Sequence, residues 1–108
     1  MTGLEIVLFG LLKAAVAGIA AGAVIYLLCL YWDDIVNWLQ GRTSLKESDL
    51  DNIGFSLQEK LTSGGYKTVY GIFNTRTSKV LDAKGVSSTK IDDRLSQEHR
   101  SAPLLVYR

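Results

Sequence analysis

The chain has one cysteine, one histidine and one proline in 108 residues. A lone Cys29 excludes an intramolecular disulfide and suits a reduced compartment. Cys29 and His99 together cannot build a Cys/His metal cluster, which needs three or four such ligands. The glycines of "TSGGYK" (62–67) lack the spacing of a phosphate-binding loop, and no serine sits in a nucleophile elbow. Asp92 and Asp93 are adjacent, so on a helix they diverge by about 100° and do not form a carboxylate pair. Basic residues are dispersed, without the clustered face that nucleic acid requires. No enzyme activity, cofactor, metal, nucleic-acid partner or small-molecule substrate is expected from these residues.

Charge is also missing from a long stretch. Ala14 to Trp32 is a run of 19 residues without an ionisable charge, and between Leu4 and Trp32 only Glu5 and Lys13 are charged. The other charges lie downstream. Residues 41–108 hold eleven Lys/Arg against eight Asp/Glu, and the first forty residues carry −2, giving the net +1.

At about 1.5 Å per residue, a helix over Ala14–Trp32 would be about 28 Å long, close to the hydrocarbon thickness of a bilayer. Tyr26, Tyr31, Trp32 and Trp38 gather toward its C-terminal end, as an interfacial belt would. The sequence therefore predicts a transmembrane helix with an interfacial extension over residues 1–40, with Tyr31, Trp32 and Trp38 as membrane-interface anchors. A cleaved signal would want a shorter apolar core after basic residues. A buried core helix would need more chain to wrap it. Met1 to Glu5 before an apolar run resembles the mature start of the type IV pilins over about five residues, but Lys13 and the alanine–glycine run depart from that pattern.

Eight of the ten residues Ala14–Ala23 are Ala or Gly, and Gly10, Ala14, Gly18 and Gly22 stand at four-residue intervals. Small residues let helix backbones approach closely in lipid. These four are the predicted helix–helix interface. Glu5 and Lys13 lie about 12 Å apart along a helix axis, so they are candidates for an ion pair between helices, not within one. Lys13 can also mark the membrane edge by snorkelling. Arg42 and Lys46 follow the span, so the positive-inside count places the C-terminal part in the cytoplasm of a single-pass plasma (inner) membrane protein.

Residues 41–108 read as a small soluble α+β domain. Trp32, Ile35, Val36 and Leu39 extend the first helix with one apolar side, and Gly41 ends it. Leu50, Ile53, Leu57 and Leu61 form a helical stripe that "TSGG" stops. "YKTVYGIF" and "KVLDAKGV" flank the polar turn Asn74–Ser78 and predict a hairpin. "SSTKIDDRLSQEHR" predicts a helix capped by Ser88 or Thr89, with Ile91 and Leu95 buried and His99 and Arg100 at its end. Pro103 opens a last strand. The expected fold is one transmembrane helix followed by α-β-β-α-β, with a three-stranded, mainly antiparallel sheet.

A domain of this size is near the lower limit for independent stability and has open strand edges. The expected role is a membrane-anchored structural or interaction protein. It would self-associate, or join another membrane protein, and bind through sheet-edge pairing. An oligomeric pore of the holin type, gated by the soluble part, is the alternative.

Overall fold

The computed structural model describes residues 10–13, 24–100 and 102–107. Eight elements follow the helical residues 10–13: β1 (Val24–Leu30), α1 (Trp32–Gln40), α2 (Thr43–Glu47), β2 (Asn52–Lys60), β3 (Tyr66–Asn74), β4 (Lys79–Ile91), α3 (Asp93–Glu98) and β5 (Leu104–Tyr107). All five strands belong to one sheet in the order β1-β4-β3-β2-β5. β1 runs parallel to β4, and the other neighbours are antiparallel.

The sheet is covered on both faces, which explains its centre. β3 lies between β2 and β4, and Thr68–Asn74 are buried without interruption. Its β-branched and aromatic residues suit a pleated strand packed on both sides. One face carries Ile53, Phe55, Val69, Phe73 and Leu104, closed by Leu12 of the helical residues 10–13. The other carries Tyr70 and Val86, against which α1 lays Ile35 and α3 lays Leu95. The spacing of Trp32, Ile35 and Leu39 gives α1 the single apolar side this packing needs.

Asp92 fixes both helices to the sheet. Its carboxylate accepts the Leu95 N–H at 3.0 Å as the α3 cap. The same oxygen accepts the Trp32 N–H at 3.1 Å, at the start of α1. Two orphan helix-start donors thus share one acceptor. At the opposite end of the sheet, Arg76 donates to Asp49 at 2.6 Å and Asp51 at 3.1 Å, tying the hairpin tip to the start of β2. The β3–β4 ladder shifts register between Ile72 and Phe73. Gly71 faces β4 there: a Cβ would strike the Asp82 carbonyl oxygen and lie 2.8 Å from Ala83.

Three expectations are corrected. The run Ala14–Trp32 is not one helix, because Val24–Leu30 is a strand hydrogen-bonded to β4. Among the described residues no helix is long and apolar enough to cross a membrane. The single transmembrane helix, the membrane keywords and the single-pass plasma-membrane location therefore do not hold. Secondly, the helix expected over Leu50–Leu61 is β2. Ile53, Phe55 and Leu57 alternate with Gly54 and Ser56, and the sheet exploits that period of two. Thirdly, the sheet has five strands among the described residues and is mixed. β4 runs on to Ile91, so Ser88 and Thr89 are strand residues and Asp92 is the cap. The hairpin, the helix at 32–40 and the last strand form where the sequence places them.

Candidate functional site: an open sheet edge and a buried polar relay

Among the described residues β1 is an edge strand, with β4 as its one neighbour in the sheet. It offers no charge and no proline, and Ile25, Tyr26, Leu27 and Leu28 are all exposed. Tyr26 is 81% and Leu28 76% exposed. Natural sheets blunt their edges with lysine, proline, bulges or short strands. The opposite edge does so: β5 is four residues long and follows Pro103. β1, at seven residues, carries none of these devices. Its outward backbone groups and alternate apolar side chains are those that strand addition uses.

A second feature lies beneath α3. Ser56 Oγ is 2.8 Å from His99 Nε2 and 2.8 Å from the Tyr107 hydroxyl. His99 Nδ1 is 3.1 Å from the Ala102 carbonyl oxygen. A carbonyl can only accept, so Nδ1 carries the proton in neutral His99 and Nε2 is the acceptor. Ser56 then donates to His99 and accepts from Tyr107. Every proton in the chain Tyr107–Ser56–His99–Ala102 has one direction. Burial holds the His99 imidazole below its ordinary value of 6.5, and burial pushes the Tyr107 hydroxyl up to about 12. Both groups are therefore neutral near pH 7.

A serine beside a histidine is the first half of a nucleophile–base arrangement. Ser56 has no exposed surface, however, and His99 is oriented by a backbone carbonyl that bears no full charge. The relay satisfies the buried Ser56 and His99 and the half-buried Tyr107, and joins β2, β5 and the end of α3. Among the described residues no group of His, Cys, Asp or Glu is placed to hold a metal ion.

The residues singled out from sequence are distributed as follows. Glu5, Ala14, Gly18 and Gly22 lie outside the described residues. Gly10 is exposed, and a Cβ there would meet nothing within 4 Å. Lys13 is exposed at the end of the helical residues 10–13. Tyr31 is exposed at the β1–α1 junction. Trp32 packs on Tyr107 with ring centroids 5.7 Å apart, and Trp38 meets Tyr70 edge-on at 5.4 Å. The Arg42 guanidinium lies over the Trp38 ring, 3.6 Å from its centroid, while its Nε donates to Asp82 at 2.6 Å. Both tryptophans are thus engaged with the helix-covered face of the sheet.

Sequence reasoning missed Ser56 and Tyr107. The one signal for Ser56 was a hydroxyl at an inward position of an alternating strand, and Tyr107 joins it only through the β2–β5 pairing. Comparison with known protein families, curated proteins and solved structures finds no match to the chain.

Proposed function

We propose that the protein is an interaction module that associates with a second copy of itself by pairing β1 edges. The observation that carries this reading is the uncharged, unblunted β1 edge, with four consecutive large apolar residues exposed. Two such edges can meet without like-charge repulsion. Across a two-fold axis each would supply the same strand, the self-complementary contact of closed dimers. The two five-stranded sheets would continue as one, with Tyr26 and Leu28 of each copy on one face and Ile25 and Leu27 on the other. The pore-forming alternative is not carried forward, because it was built on a long apolar helix that residues 24–30 do not form.

The test is sedimentation of the full chain, wild type against Tyr26→Lys/Leu28→Lys. Both side chains project away from the core, so the substitutions leave the fold intact, and far-ultraviolet circular dichroism checks this. The reading predicts a wild-type dimer and a monomeric double variant. A wild type that stays monomeric at micromolar concentration, or a folded variant with the wild-type mass, rejects it.

A further inference from the structure

A cleft of about 410 Å³ opens between the ends of β2, β3 and β4 and the α3–β5 connection, and no residue of β1 lines it. This volume falls in the range of about 300–1,000 Å³ typical of small-molecule sites. Its lining combines two chemistries. Tyr66, Ile91 and Pro103 supply apolar surface, while Lys60 from the end of β2 and Arg100 from just past α3 supply positive charge. No Asp or Glu is among the described residues that line it. Neither Lys60 nor Arg100 has an ion-pair partner among the described residues, unlike Arg42, Arg76 and Arg94, each of which is paired.

The carbonyl end of α3 points into this region and would repel an anion if its acceptors were free. Three of them are occupied: Leu95 O accepts the His99 N–H, Gln97 O the Arg100 N–H, and His99 O the Ala102 N–H. His99, which lines the cleft, has both ring nitrogens engaged by Ser56 and Ala102 and so holds a fixed wall. The Ser96 hydroxyl is a further polar group on the lining. A concave apolar surface with two unpaired cations and no carboxylate selects for negative charge joined to an apolar body.

We infer that this cleft is a binding site for a small organic anion with an apolar body, held by Lys60 and Arg100 and packed on Tyr66, Ile91 and Pro103. The lining includes neither Tyr26 nor Leu28, so the site stands whether or not the chain dimerises.

The test titrates the full ¹⁵N-labelled chain with 2-naphthoate and, in parallel, with its neutral analogue 2-naphthamide, followed by amide chemical shifts. The expected result is saturable binding of 2-naphthoate that moves the amides of Gln58, Tyr66, Ser96 and Arg100. 2-Naphthamide should bind at least about tenfold more weakly, and Lys60→Glu/Arg100→Glu should weaken 2-naphthoate by at least about tenfold. These two side chains have no ion-pair partner among the described residues, so the variant stays folded, which far-ultraviolet circular dichroism checks. The Tyr26→Lys/Leu28→Lys variant should bind 2-naphthoate as the wild type does. Absence of saturation, equal affinity for acid and amide, or unchanged binding in the charge-reversed variant overturns the inference. Shifts confined to β1 overturn it too.

Discussion

Removing the Ser56 hydroxyl tests the buried relay most sharply. Ser56→Ala deletes an oxygen that stands 2.8 Å from both His99 Nε2 and the Tyr107 hydroxyl, and it leaves the strand otherwise intact. His99 is 8% exposed, so its Nε2 is left without a partner in a buried site. Such an orphan costs about 1–3 kcal/mol. The half-buried Tyr107 hydroxyl loses the same partner. The expected loss is about 2–3 kcal/mol, measured by urea unfolding at pH 7.5 with an unchanged denaturant slope. The same relay sets the pH dependence. Folded His99 titrates below 6.5, whereas the unfolded chain takes up its proton near 6.5. Stability from this group is therefore complete above about pH 6.5 and declines as pH falls through the window between 6.5 and the lower folded value. The decline has a slope of at most about 1.4 kcal/mol per pH unit. His99→Gln should abolish that slope. A Ser56→Ala loss below about 0.5 kcal/mol, within the range of ordinary surface substitutions, would refute the reasoning. So would wild-type stability that rises as pH falls from 7.5 to 5.5.

Two further outcomes follow from the packing. Gly71→Ala should destabilise by about 3 kcal/mol in the same unfolding assay, because the added methyl meets the β4 backbone and not a movable side chain. The Asp49 carboxyl is held below its ordinary 3.8 chiefly by the Asp51 backbone N–H and then by Arg76. In Arg76→Ala its titration, followed by carboxyl ¹³C shifts, should move up part of the way and not fully, since the backbone donor at 2.9 Å remains.

Local signals in the sequence were sound wherever one reading fitted. "YKTVYGIF-NTRTS-KVLDAKGV" has strand-type residues around a polar turn, and it is the β3–β4 hairpin. Trp32, Ile35, Val36 and Leu39 repeat at helical spacing, and α1 turns that side inward, with Ile35 buried and the other three half-buried. The errors arose where two periods coexisted. Leu50, Ile53, Leu57 and Leu61 fit a helix, but Ile53, Phe55 and Leu57 fit a strand, and Leu50 proves fully exposed. Phe55 was the deciding residue: a helix has no place for it on that stripe. A uniformly apolar run such as "VIYLLCL" has no period at all, so length alone favoured the membrane helix. What makes it a strand is parallel pairing with residues about sixty positions downstream, Val24 beside Gly85 and Leu30 beside Ile91. The relay was invisible for the same reason. Ser56, His99 and Tyr107 meet only after β5 returns to pair with β2.

The dimer reading and the withdrawal of the single transmembrane helix rest on Val24–Leu30 being an edge strand. Backbone chemical shifts and cross-strand nuclear Overhauser effects in the full-length chain measure this directly. The account predicts extended-chain ¹³C shifts over 24–30 and contacts from Ile25 to Val86 and from Leu27 to Ser88. Helical shifts over 24–30, with contacts three and four residues apart and none to β4, would contradict it.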